Sequence, residues 1–305
     1  MRVLVTGADG FVGRHLCRHL RDAGDEVIEA GGPPSAGAAR GAAPVIDVTD
    51  GASVRSAIEE ARPDAVLHLA GFSSVGKSHQ DPALVFAVNT LGTVNLLAAL
   101  RDQARGARVL LISSAEVYGA VAPGTRATED HPLRPLSPYA ASKAAAEIAG
   151  FQFHRSTGLA VICARSFNHI GLGQHPSFVV PSFALQLSAI RRGEAAPVVK
   201  VGDLSPIRDF SHVDDVVAAY RLLALEGEPG EAYNVCSGEG RSIQSLLEEM
   251  VALSGVAAKV ERDEARVRPS ELPSLVGDPG KLKRLGWRAK KSVTEALGDA
   301  LRDPG

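Results

Sequence analysis

Over its first 165 residues the chain alternates short, β-branched apolar runs with longer stretches of helical spacing, and that alternation leaves few folds open. Strands joined through helices run parallel, and their crossovers are right-handed. The runs RVLVTG (2–7), DEVIEA (25–30), APVIDV (43–48), DAVLHLAG (64–71), RVLLISSA (108–115) and LAVICARSFN (159–168) are nearly continuous in apolar residues. Strands covered on both faces read this way. Between them, 11–23, 51–62, 83–105 and 137–157 carry apolar residues three and four apart, as in Leu84, Val88, Leu91, Val94 and Leu97. The fold class is therefore α/β, a doubly wound parallel sheet over residues 1–168. A further helix and strand, HVDDVVAAYRLLAL (212–225) and EAYNVCSG (231–238), return to it within 211–236. Residues 169–210 and 237–305 are richer in Gly and Pro and read as a smaller C-terminal α/β lobe that faces a substrate. GGPPSAGAARGAAP (31–44) reads as a long loop between the second and third strands.

Composition narrows the function classes. The 305 residues carry 33 basic and 35 acidic side chains, a net charge of −2, with no basic run of five or more, so neither nucleic acid nor a membrane surface is an expected partner. No apolar stretch is read as approaching the ~18–20 residues of a membrane span, and the chain opens directly on a strand, so a cytoplasmic location is expected. Cys17, Cys163 and Cys236 read as free thiols. His15 and His19 are spaced for one helix face but lack a third ligand type, so a solvated face is expected and no metal.

TGADGFVG, Thr6 to Gly13, follows the first strand and opens the first helix. Gly7, Gly10 and Gly13 suit a tight turn, close approach of backbone amides to a pyrophosphate, and close helix–strand packing, as in a Rossmann-like dinucleotide site. An acid ending the second strand would hold the adenosine ribose of NAD, but that strand ends Glu29-Ala30-Gly31-Gly32. Glu29 stands early, and Arg40 is placed to meet a 2′-phosphate, so NADP(H) is the expected preference with NAD(H) as the alternative. Asp47 is placed either to accept from the adenine amino group or to cap the next helix.

Tyr139 and Lys143 in SPYAASK lie one turn apart on one helix face, and Ser114 ends the fifth predicted strand. A phenol with its ordinary pKa of about 10 is a poor proton relay at neutral pH. Bringing it to about 7 takes roughly 4 kcal/mol, which the ammonium and a positively charged nicotinamide are expected to supply. Ser114 would bond the substrate oxygen. Read alone, Tyr139 would be a packing residue and Lys143 a solvated one; beside the glycine loop the catalytic reading prevails.

Together TGxxGxxG, HLAG (68–71), NTLGT (89–93), SSAEVYG (113–119), YxxxK and RDFSHVDD (208–215) resemble the extended short-chain dehydrogenase/reductase superfamily across essentially the whole chain. RSFNHIGLGQ (165–174), VVKVGDLSPIRDF (198–210), YNVCSG (233–238) and RPSELP (268–273) resemble its GDP-mannose-derived branch, most of all the GDP-4-dehydro-6-deoxy-D-mannose reductases. The resemblance implies a nicotinamide cofactor lined by Phe11, Val12, Val48, Leu69, Ala70, Gly71 and Asn89 besides the residues above. It implies that Asn168, Arg208 and Arg268 hold the substrate pyrophosphate, Glu271 the nucleoside and Ser73 the hexose, with Val180 at the substrate site. Arginine suits that task through its bidentate fork; a structural ion pair is the alternative for each of the two.

Glu116 bears on the choice of reaction. Similar GDP-fucose synthases are expected to carry a cysteine there, and similar 4,6-dehydratases carry Thr-Ser-Glu, of which Ser114-Ala115-Glu116 keeps the glutamate but not the threonine. The resemblance thus implies reduction of the C4 ketone of a GDP-4-keto-6-deoxy sugar, hexose or heptose, with Ser114, Glu116, Tyr139 and Lys143 as the catalytic set. Alternatives are a 4,6-dehydratase or C4 epimerase and, more distantly, a cofactor-binding protein without turnover. Relatives pair two long helices per subunit, so a homodimer through a four-helix bundle is expected.

Overall fold

The computed structural model describes residues 1–32, 45–122, 124–267 and 272–302. The chain begins β1 (Arg2–Thr6), α1 (Phe11–Asp22), β2 (Glu26–Ala30), α2 (Gly51–Ala61), β3 (Ala65–His68), α3 (Val75–Ser78), α4 (Pro82–Phe86), α5 (Gly92–Gln103), β4 (Arg108–Ser114), α6 (Pro138–Thr157) and β5 (Ala160–Ser166). It continues β6 (Asn168–Ile170), α7 (Val179–Arg191), β7 (Val198–Val201), β8 (Ile207–His212), α8 (Val213–Glu226) and β9 (Ala232–Val235). It ends β10 (Gly240–Ser242), α9 (Ile243–Ser254), β11 (Lys259–Arg262), β12 (Ser274–Leu275), α10 (Gly280–Arg284) and α11 (Val293–Arg302).

Six parallel strands form the main sheet in the order β2-β1-β3-β4-β5-β9. Because β2 lies on one side of β1 and β3 on the other, the loop after β1 sits at the switch point of the winding, where doubly wound sheets bind their ligands. Register brings the strand ends level: Thr6 pairs with Ala30 and His68, and Ser114 with Ser166. One face of the sheet buries Val3, Val5, Leu16, Leu20 and Tyr220 under α1 and α8. The other buries Leu4, Val54, Ile58, Val66, Leu96 and Leu100 under α2 and α5. Full burial of each such side chain contributes about 1.5–3 kcal/mol, so the frame holding the strand ends is stiff.

In the C-terminal part, β8 lies between β10 and β12 and also pairs with β6. Its apolar core gathers Val180, Phe183, Leu187, Phe210, Leu246, Leu247 and Leu297 from α7, β8, α9 and α11.

Three expectations change. The strand read at 43–48 is reduced, in its described part, to one bridge between Val45 and Gly31. The Asp47 carboxylate accepts from Thr49 N and Oγ1 at 2.9 and 2.6 Å, and this turn ends the extended backbone. The helix read at 83–105 is a run Pro82–Gln103 interrupted by a π-helical turn, Ala87–Leu91; at 22 residues and a mean hydropathy of 1.8 it is long and apolar enough to cross a membrane by length and composition. Its inner face packs on α2 and α6. His15 lies not on a solvated face but buried, its ring within 3.2 Å of Asp214 and 2.9 Å of the Leu172 carbonyl, because α8 covers that side of α1.

Candidate active site

The glycine loop is held by backbone bonds. Gly7 N and Ala8 N both donate to the Ala30 carbonyl, at 2.8 and 3.2 Å, and Gly10 N donates to Gly7 O at 3.1 Å. Gly7 has φ +72°, and a Cβ there would lie 2.8 Å from Ala70 N. A Cβ on Gly13 would lie 2.2 Å from Gly7 O. Only glycine meets both demands, and the result is a cradle whose floor is backbone. The N-terminus of α1, begun by Gly10, points its unbonded amides into that cradle, a ready anion site. Phe11 stacks on His169 with centroids 6.0 Å apart, and Val12 packs on the apolar core under α1.

Across the cradle the chain after β3 forms a second wall. Leu69 N donates to Thr6 O at 3.1 Å, and Ala70 N to Thr6 Oγ1 at 3.3 Å. The same hydroxyl is hydrogen-bonded to His68 Nδ1, 2.8 Å away. Burial pushes the His68 imidazole down to about 3, so the ring is neutral. A Cβ on Gly71 would meet Asn89 Oδ1 at 2.7 Å and Lys143 Nζ at 3.4 Å, so Gly71 brings wall and lysine together. Asn89 accepts from Phe72 N and donates to Ser142 Oγ, both at 2.8 Å, while Ser142 Oγ donates to the Tyr139 carbonyl at 2.8 Å. The π-helical turn therefore ties the first turn of α6 to the loop after β3, a use that such turns often serve.

Ser137 caps α6, its Oγ accepting from Ala140 N at 3.1 Å, with Pro138 at the first helical position. These two residues place Tyr139 in the first turn. The Tyr139 hydroxyl hydrogen-bonds to Ser114 at the end of β4, while burial pushes the phenol up to about 12 and the Glu116 carboxylate adds to the rise. Lys143 Nζ donates to the Ile112 carbonyl at 2.8 Å, and burial pulls the lysine down to about 8. The phenol thus lies well above the value near 7 argued from the sequence. Lys143 is not among the groups that shift it, because that ammonium faces the carbonyl of β4.

Arg208 is half-buried on β8, between Arg241 of β10 and Leu275 of β12. Burial lowers its pKa and the Glu116 carboxylate raises it, so Glu116 faces both Arg208 and Tyr139. The neighbouring Asp209 is buried and accepts from Ser237 N, Ser237 Oγ and Gly238 N at 2.8, 2.6 and 2.9 Å, which anchors the strand carrying Arg208. Asn168 is exposed at the start of β6, beside Phe210 of β8, and Ser73 is exposed in the loop before α3.

Three more of the expected residues are described. The Val180 side chain is buried among Phe183, Ala184 and Leu187 in the lobe core. Asp47 closes the turn before α2, whose cap is Asp50. Val48 is buried against Gly92, where a Cβ would lie 2.7 Å from Val48 Cγ2. Arg40, Arg268 and Glu271 lie outside the described residues.

One supporting group gave no sequence signal beyond its place in SSAEVYG and RSFN. Arg165 pairs with buried Glu147 and donates to Tyr118 Oη at 3.0 Å, and Tyr118 donates to Asn234 Oδ1 at 2.6 Å. This network lies under the turn Ala115–Tyr118 that presents Glu116, and removing one partner of a buried pair leaves an uncompensated charge.

The family described as GDP-mannose 4,6 dehydratase matches residues 4–300. The chain belongs to that family. It is 37% identical over 304 residues, 99% of this chain and 96% of the other, to the GDP-6-deoxy-D-mannose reductase of Pseudomonas aeruginosa. The solved structure of RMD from Pseudomonas aeruginosa complexed with NADPH superposes with a TM-score of 0.89 at 36% identity, covering 100% of this chain and 99% of that one. A Thermus thermophilus UDP-glucose 4-epimerase complexed with NAD superposes with a TM-score of 0.88 at 35% identity, with the same coverage. Membership and these likenesses bear out the resemblance to extended short-chain dehydrogenases/reductases and the doubly wound α/β fold.

Proposed function

We propose that the chain reduces the C4 ketone of a GDP-4-keto-6-deoxy sugar with NAD(P)H, as in GDP-4-dehydro-6-deoxy-D-mannose to GDP-D-rhamnose or its heptose analogue. The observation that carries this reading is Ser114 bonded to Tyr139, with Lys143 buried beside Gly71 at the edge of the glycine cradle. A reduced nicotinamide dinucleotide, held on the α1 N-terminus and by Lys143, supplies a hydride when bound. Ser114 holds the ketone oxygen and Tyr139 delivers the phenolic proton to it, so the carbonyl becomes a secondary alcohol. A phenol kept high by burial retains that proton at neutral pH, which suits the reductive direction. Arg208 supplies positive charge for the substrate pyrophosphate from the C-terminal lobe, taken as 169–210 and 237–305.

Glu116 beside Tyr139 favours a second reading, a 4,6-dehydratase or C4 epimerase, which consumes no dinucleotide overall. The deciding experiment presents the purified protein with freshly made GDP-4-keto-6-deoxymannose. Stoichiometric dinucleotide oxidation with one C4 configuration in the product supports the reductase; no oxidation, with conversion of GDP-mannose to its 4-keto-6-deoxy product or C4 epimer in a parallel assay, supports the second reading.

The same reading includes a homodimer in the cytoplasm, serving surface-polysaccharide precursor synthesis. Leu91 and Ile148, 59% and 61% exposed on the run Pro82–Gln103 and on α6, suit a helix-pair interface. Sedimentation as a monomer at micromolar concentration overturns the dimer.

A further inference from the structure

We propose that Asp9, inside the glycine loop, selects NAD(H) over NADP(H), reversing the preference expected from Arg40. The inference rests on the dinucleotide reading above. In doubly wound folds the adenosine ribose lies beyond the end of the second strand, where an acidic side chain takes its 2′-hydroxyl. Here that strand ends in Ala30, with Gly31 and Gly32 after it, so among the described residues the end of β2 offers no polar side chain.

Glu29, the nearest acid on the strand, is turned away. It pairs with Arg21 of α1 at 2.5 Å. Asp9 fills the gap. Its Oδ2 and Cγ lie 3.3 and 3.4 Å from the point where a Cβ of Gly31 would stand. The carboxylate therefore occupies the space that a side chain ending β2 would use, reached from the glycine loop instead of from the strand. The bonds of Gly7 N and Ala8 N to the Ala30 carbonyl hold loop and strand end in this relation.

Arg14, the nearest cation of α1, bonds not the Asp9 carboxylate but two carbonyls, those of Asp9 at 2.6 Å and Gly173 at 3.2 Å. A carboxylate at the ribose accepts a hydrogen bond from a 2′-hydroxyl. Facing a 2′-phosphate, which carries nearly two negative charges, it repels. At the strand end such a like-charge contact costs a factor of about ten or more in affinity.

The test is calorimetric titration of the full chain with NADH and with NADPH, without sugar, repeated with Asp9→Asn and at raised salt. AMP and adenosine 2′,5′-bisphosphate serve as probes of the ribose end alone. The expected result is tighter binding of NADH than of NADPH by about tenfold or more, a gap that narrows in Asp9→Asn through gained NADPH affinity and narrows with salt. Equal or tighter binding of NADPH to the parent protein, or an unchanged ratio in Asp9→Asn, overturns the role of Asp9. Failure to bind either dinucleotide overturns it together with the cofactor reading. A kept NADH preference without turnover of the GDP-sugar upholds Asp9 and sinks only the proposed reaction.

Discussion

The ammonium of Lys143 donates to the carbonyl of Ile112, 2.8 Å away on β4, in the strand that two residues later presents Ser114. Strand and helix are thereby joined beside Ser114 and Tyr139, the proposed reacting groups. Lys143 also stands against the point from which a Gly71 side chain would project, so one buried cation lies against the strand of Ser114 and the loop after β3 together.

Lys143 sets an alkaline limit. Burial brings it down to about 8, so it is an ammonium below that pH and neutral above it, while Tyr139, pushed up to about 12, keeps its proton throughout. Turnover in the reductive direction should hold up to pH 8 and fall as pH rises through it. Lys143→Arg, which stays charged, should lose that limb even if its maximal rate is lower; pH–rate profiles of both proteins make the comparison.

Tyr139→Phe removes the proposed proton donor and leaves the ring. The rate of dinucleotide oxidation with the ketone substrate should fall roughly 10²–10⁴-fold, with dinucleotide affinity kept. Steady-state kinetics beside a binding titration separate the two, and undiminished turnover rules out the proposed proton transfer.

Gly13→Ala places a methyl group 2.2 Å from Gly7 O and 2.7 Å from the Ala8 Cα, both backbone atoms that are part of the cradle. The loop must shift. Expected are a stability loss of about 1–3 kcal/mol and weakened dinucleotide binding, read by denaturant unfolding and titration.

His68 makes the fold acid-sensitive. Its folded-state pKa, about 3, lies below the ordinary 6.5, so the unfolded chain takes up the proton first. Stability from this group is present above pH 6.5 and is lost as pH falls toward 3, by up to about 5 kcal/mol. The stability difference between the parent and His68→Asn should shrink in that window; a constant difference from pH 7 to pH 4 excludes the effect.

Much of this was legible in the sequence, for a local reason. Glycine spacing, the Ser137-Pro138 helix start and the i, i+4 relation of Tyr139 and Lys143 express backbone geometry within a few residues, so the strand–loop–helix cradle and the pairing of phenol and lysine on one face follow from order alone. Continuous apolar runs likewise announce strands buried on both faces, and hence the parallel sheet.

Other features depend on what packs from a distance. The strand read at 43–48 is cut short by the Asp47 turn, and His15 is buried because α8, nearly two hundred residues on, lies over α1. The helix pattern of 83–105 gives no sign that Asn89 will be drawn sideways to Phe72 and Ser142. Nor does any spacing rule place Asp9 beside Gly31, or Glu116 between Tyr139 and Arg208. Sequence order determined which groups are present and how each local element begins and ends. Tertiary structure decided which of them meet and how each is charged, because desolvation and long-range contacts are set only when the layers close over the sheet.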